Sequence, residues 1–416
     1  MLLYGFYSQG NYGDDALLDA ITRGVRAASP APVEFTVPVR YPSPEMDRQF
    51  DVRTVQNLEY NRRADSVGRW LQGLNPDDGL AFDAFLAEVL DADLVIVGPG
   101  QYLVETGVDA LFRGILAQLD VVAEVCRMTG TPLYAIALTA ERLDRSFSLL
   151  RVQNSLSKCS ALSFRDSRSP EYLSARGCIL PEYEVAPDLA FCTAAADTGH
   201  VNDLLEAEGV EIGAARPLAI AVHDYYVDAA LRESFVALAA DVCRLWIERT
   251  GQPVLFIPQS VNPEDKHADD RYFHEEVIRR VPESVMGGVH RLRSAYSFSQ
   301  VEAVYSTCVA SFCTRMHGAI FSLKQGVPAV LMDHESKRRA CFSQAGFEQF
   351  VYSVDTPPQR LVSALVDFAG SPKVSNAIGE QLAVARASSL GHIQVAARLL
   401  AAEPSARKTW ARGLFQ

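Results

Sequence analysis

"VASFCTRMHGAIFSLKQGVPAVLMDHESKRRA", residues 309–340, carries the pattern on which the fold turns. Val309–Phe312 is an apolar run short enough for a buried strand and too short for a helix. From Arg315 the apolar residues recur at helical spacing up to Gly326, which supplies the stop, and Ala329–Met332 reads as the next buried strand. A strand, a helix and a second strand make a βα repeat, which requires a parallel pair.

The same alternation runs outward in both directions. Strands are expected at Leu2–Tyr7, Val33–Val39, Leu94–Val97, Leu133–Leu138, Ala161–Phe164 and Ile179–Val185, then at Leu218–Val222, Val254–Ile257 and Phe350–Ser353, with amphipathic segments between them. The alternation lapses at "CTAAADTGHVNDLLEAEGVEIGAARP", residues 192–217, where a single short helical pattern sits among Ala, Gly and acidic residues. A chain of 416 residues exceeds what one core supports. The expectation is an α/β protein of two doubly wound Rossmann-like domains facing a cleft: residues 1–195, a linker at 196–216, residues 217–375, and a helical tail at 376–416 that packs on the second domain or reaches back to the first.

Composition narrows the function. A net charge of −12 excludes a general nucleic-acid binder or a polybasic membrane anchor, so an anionic ligand must meet a local basic pocket. The eight cysteines are scattered without a CxxC pair and read as reduced core residues, with no metal site implied. The N-terminus lacks a basic leader, and no run approaches the ~18 apolar residues of a transmembrane segment. A cytoplasmic enzyme is expected.

The candidate site residues follow from strand ends. Arg315 and His317 fall at the carboxyl end of a buried strand, on the first turn of the next helix, where free N–H groups and the helix dipole favour an anion. There His317 is placed to exchange a proton near neutral pH. The competing reading pairs Arg315 with a carboxylate and makes His317 a helix cap. Lys337 emerges one βα unit further on, with Arg338 and Arg339 beside it as solvated charge. Arg165 directly follows strand Ala161–Phe164 and suits bidentate carboxylate or phosphate binding, or pairs with Asp166 or another neighbour.

Other turns are less specific. "GNYGDD" after the first strand offers Asn11, Gly13 and Asp14 to line or cap a turn, with neither a dinucleotide fingerprint nor a P-loop. Gly98 and Gly100 in "GPG" let backbone approach a ligand, or simply turn the chain. Asp188 stands near the domain junction, where it can hold a hinge. His223 and Tyr225 in "HDYY" suit a sugar, though core packing explains the tyrosine equally well. "PEDKHADD" reads as a polar loop, with a metal patch as its alternative.

Together, "GNYGDDALL", "DLVIVGPGQYL", "SFRDSRS", "VAPDLAF" and "TRMHGAIFSLKQGVPAVLMDHESK" resemble the polysaccharide pyruvyl transferase family, in order and across nearly the whole chain. The resemblance implies a GT-B-like fold and transfer of pyruvate from phosphoenolpyruvate, as a ketal, onto two hydroxyls of a sugar or glycan acceptor, free or lipid-linked. No further cofactor is implied, and a lipid-linked acceptor would place the enzyme at the inner membrane face. It also implies that Arg165, Arg315 and Lys337 hold the donor and that His317 is the acid/base residue. Pro99, Leu189 and the absence of an arginine after "AVHDYY" depart from the family pattern. The competing functions are a nucleotide-sugar glycosyltransferase of the same fold and a non-catalytic binding protein.

Overall fold

The computed structural model describes residues 1–7, 10–40, 42–58, 77–105, 115–211, 215–224, 229–262, 265–333 and 337–402, with backbone alone at 77–81 and 229–230. The chain forms two compact units. One comprises Met1–Gln9, Leu17–Cys192 and Arg386–Gln416; the other comprises Gly10–Ala16 and Thr193–Ala385.

The sheet of the first unit contains β1 (Leu2–Tyr4), β2 (Thr36–Val39), β3 (Arg53–Gln56), β4 (Val95–Val97), β5 (Gly100–Val104), β6 (Leu133–Glu141), β7 (Ala161–Phe164) and β8 (Glu184–Val185). Its order is β3-β2-β1-β4-β6-β7-β8, every pair is parallel, and β5 lies along the far half of β6. β1 and β4 are wholly buried, as strands covered on both faces must be, and this explains their unbroken apolar sequence. Val89, Leu116, Leu119, Val122 and Leu156 from the surrounding helices close this core.

The second unit contains β9 (Leu218–Ala221), β10 (Val254–Phe256), β11 (Val289–Arg291), β12 (Ala310–Cys313), β13 (Ala329–Asp333) and β14 (Val351–Ser353), in the parallel order β11-β10-β9-β12-β13-β14. Trp246, Phe256, Phe312 and Met332 pack in its core, each contributing about 1.5–3 kcal/mol of burial. The strand order reverses beside β1 in the first sheet and beside β9 in the second, which makes the carboxyl ends of β1/β4 and β9/β12 the crevices where such sheets bind ligands.

Three strands escaped the sequence reading for physical reasons. β3 and β11 are edge strands with half-exposed, charged residues and therefore no apolar run. β5 begins immediately after a Gly-Pro pair that reads as a turn. Near the end, the helix Pro372–Ala401 is one 30-residue element, starting four residues before the expected tail at 376–416. All eight cysteines are free thiols. Among the described residues no helix is long and apolar enough to cross a membrane.

Candidate active site

The second unit's crevice is built from the β9–β12 junction. Thr314, just past β12, donates its backbone N–H to Ala221 O at 2.9 Å. Its hydroxyl accepts the His223 amide at 3.0 Å and lies 2.8 Å from His223 Nδ1.

Arg315 is the N-cap residue of the helix Met316–Lys324 and has extended backbone, so its side chain leaves the helix end instead of lying along it. Nη2 donates to Asp270 Oδ1 at 2.7 Å, while Nε is buried with no hydrogen-bond partner among the described residues. Asp270 is 2% exposed, and its other oxygen accepts the backbone N–H groups of Gln259 and Ser260 at 2.9 and 3.0 Å. One carboxylate therefore fixes the loop after β10 and holds the Arg315 guanidinium in place. The far end of the Arg315 helix is anchored by a buried 2.6 Å pair between Lys324 and Glu302.

His317 stands on the first turn of this helix, against the segment Gly10–Asp15. A Cβ placed on Gly13 would lie 2.0 Å from His317 Nδ1, so only glycine lets the backbone touch the imidazole. That segment is pinned to the loop after β10: Tyr12 N donates to Gln259 O at 3.0 Å and Val261 N to Gly10 O at 2.9 Å. Gly10 has φ +72°, and a Cβ there would meet Val261 O at 2.0 Å. Asn11 caps the helix Tyr12–Ala28, its Oδ1 accepting Gly13 N at 3.0 Å and its carbonyl accepting Asp14 N and Asp15 N. Gly318 packs less tightly, with Ala221, Gln259 and the Tyr305 hydroxyl 3.0–3.2 Å from a hypothetical Cβ.

Among the perturbed ionisable groups here are His274 and Asp15. His274, one turn after Asp270, is buried with Nε2 2.9 Å from Val222 O, and desolvation pulls its pKa down to about 4. Asp15 is pushed up to about 7, first by burial and then by the neighbouring Asp14 charge. Since folding raises the Asp15 pKa, its protonated form favours the folded state, and that contribution is lost as pH rises from the ordinary carboxylate range to about 7. Asp15→Asn is therefore expected to stabilise the protein at pH 8 by about 1–2 kcal/mol and to leave it unchanged at pH 4, read from melting temperature against pH.

The sequence-predicted residues divide between the two units. Asn11, Gly13, Asp14, His223, Arg315 and His317 belong to the second unit's carboxyl edge, as does Lys337, the half-buried first residue of the helix Lys337–Gln344 after β13. Arg338 is not solvated charge: it is 5% exposed and donates to Met332 O. Tyr225 lies outside the described residues. Arg165, Gly98 and Gly100 belong to the first unit. Gly98 has φ +112°, and a Cβ there would lie 2.5 Å from Ile136 O, so close packing against β6 requires glycine whatever else the turn does.

Arg165 is buried. Nε donates to Thr139 Oγ1 at 2.7 Å and Nη1 to Asp188 Oδ2 at 2.8 Å, whereas Asp166 instead holds Ser169. Each arginine thus has its own carboxylate, Asp188 for Arg165 and Asp270 for Arg315. Removing two charges from water costs more than such pairs usually return, so the pairs stabilise little and serve chiefly to hold a guanidinium in place.

Asp270 and Gln259 were missed by sequence reasoning. Within the loop read as polar, Asp269 and Asp270 are buried organisers, while His267 is exposed. The only signal was "DD" opening a helical pattern, since the helix Asp270–Ile278 takes Asp269 as N-cap.

The chain is similar in structure to UDP-GlcNAc 2-epimerase from Neisseria meningitidis bound to UDP-GlcNAc, with TM-score 0.57, 9% identity, and 96% of this chain and 98% of that one covered. It is also similar to Anabaena Alr3699/HepE in complex with UDP, with TM-score 0.58, 10% identity and coverage of 95% and 97%. At such identities the likeness shows the fold, two Rossmann-like units of GT-B type. No curated protein sequence matches the chain at a significant level. The sequence profile of polysaccharide pyruvyl transferases matches residues 11–336, a span that begins at Asn11 and takes in Arg165, Asp188, Asp270, Arg315 and His317, and the chain belongs to that family.

Proposed function

We propose that the protein transfers pyruvate from phosphoenolpyruvate onto two hydroxyls of one sugar residue in a glycan, forming a cyclic ketal and releasing phosphate. The observation that carries this reading is His317 at the helix start, touching Gly13 and following Arg315, inside the matched family span. His317 protonates the methylene carbon of the donor, giving a methyl group and a cationic C2. One sugar hydroxyl adds to C2, phosphate leaves with the C–O bonding pair, and the second hydroxyl closes the ring. The two hydroxyl protons pass to the departing phosphate and back to the imidazole.

Arg315, with its buried Nε donor, and Lys337 stabilise the leaving phosphate, and Arg165 holds an anionic group of the substrate. Asn11, Asp14 and His223 supply polar groups for the sugar. The family name places the acceptor among polysaccharides, and phosphoenolpyruvate is a cytoplasmic metabolite, so the reaction belongs to glycan assembly before export.

The test is phosphate release from phosphoenolpyruvate over a panel of galactosides, mannosides and glucosides, with mass spectrometry of the products. Phosphate release with a product heavier by one pyruvate less one water supports the reading. Turnover of a nucleotide sugar with no phosphate from phosphoenolpyruvate overturns it.

A further inference from the structure

The first unit contains a buried polar cluster that the proposed chemistry does not use, formed where the helix Pro372–Ala401 meets β7 and the loop before Asp188. Ser389 and His392 are both 0% exposed. Ser389 Oγ donates to the Asp188 carbonyl at 3.1 Å. His392 Nε2 lies 3.1 and 3.2 Å from the carbonyls of Ala186 and Pro187, and Nδ1 lies 2.9 Å from Ser163 Oγ.

The partners fix every proton. Two carbonyls face Nε2, so it carries the hydrogen, and burial lowers the His392 pKa and keeps the ring neutral. Nδ1 then accepts from the Ser163 hydroxyl. The Ser163 oxygen in turn accepts from Ala137 N at 2.9 Å and from the Tyr134 hydroxyl at 2.8 Å. Nothing in this chain of donors is exchangeable without leaving a buried group unpaired.

Its placement gives it a purpose. Ser163 precedes Arg165 by two residues on β7, and Ala186 precedes Asp188 by two. One imidazole therefore ties together the two backbone segments that present the two halves of the Arg165–Asp188 pair, while Ser389 grips Asp188 itself. We infer that Ser389 and His392 are positioning residues that set the guanidinium of Arg165 from a helix about 200 residues later in the chain, as their separations of 201 and 206 from Asp188 and Ala186 show. Arg165 is thereby held in its binding pose before any ligand arrives, which spares the substrate the cost of ordering it.

The inference rests on the reading of Arg165 as a substrate-binding cation, and the experiment separates the two. Ser389→Ala, His392→Ala and His392→Gln are compared with the wild type by phosphoenolpyruvate binding, steady-state kinetics and the NMR signal of the Arg165 Nε–H, assigned by its loss in Arg165→Ala. Ser389→Ala and His392→Ala are expected to raise the Michaelis constant for phosphoenolpyruvate about ten- to hundredfold with turnover within about threefold, and to broaden the Arg165 signal. His392→Gln, which keeps an N–H donor and an acceptor, is expected to restore both. If His392→Ala does not fold, Ser389→Ala alone decides. A folded Ser389→Ala with unchanged Michaelis constant and unchanged Arg165 signal overturns the inference. A wild type that binds no phosphoenolpyruvate overturns the functional reading instead.

Discussion

Replacing His317 with alanine is expected to lower turnover about 10²–10⁴-fold while the Michaelis constant for phosphoenolpyruvate changes by less than about threefold. The separation follows from position. His317 stands on the first helical turn with backbone of Gly13 against its ring, and in the proposed mechanism it would deliver a proton without being a principal source of charge for the donor. His317→Gln, which keeps hydrogen bonding but cannot transfer the proton, is expected to be as slow as alanine. Turnover within about threefold of wild type in either variant would remove His317 from the chemistry.

Asp270→Ala is expected to cost about 3–5 kcal/mol of stability, a fall of roughly 10 °C in melting temperature, and to abolish measurable activity. The loss is compound: Arg315 is left as a partly buried cation without its partner, and the amides of Gln259 and Ser260 lose their acceptor at once. Asp270→Asn keeps one carbonyl oxygen but sets an N–H group against either Arg315 or the two amides. It is expected to fall between alanine and wild type in thermal melts. A melting temperature unchanged in both variants would show that Asp270 does not organise the loop.

The parallel architecture was legible because buried strands such as β4 and β12 must be apolar throughout, and the intervening helices carry their own periodicity. Arg165, Arg315 and His317 were legible for a related reason, since charge directly after an apolar strand lands on the carboxyl edge of the sheet. What stayed hidden was pairing across distance. Asp270 and Arg315 are 45 residues apart, and no local pattern distinguishes a buried aspartate at a helix start from an ordinary cap. Asp188 was read as a hinge, yet it is the counter-ion of Arg165, and the nearer Asp166 is occupied by Ser169. The edge strands β3 and β11 were invisible because strands at a margin need no hydrophobic run.

Neither compact unit is a continuous stretch of chain, because residues 10–16 group with the later unit and residues from 386 onward with the earlier one. On the ribosome this reverses the usual order in which an amino-terminal domain matures first. Ser163 and the Ala186 and Pro187 carbonyls wait for His392, so the earlier unit cannot complete its interior until the segment around residue 392 has been made. A nascent chain stalled near residue 380 is expected to be readily digested by protease in its first two hundred residues, and a chain extended beyond residue 402 to be protected there.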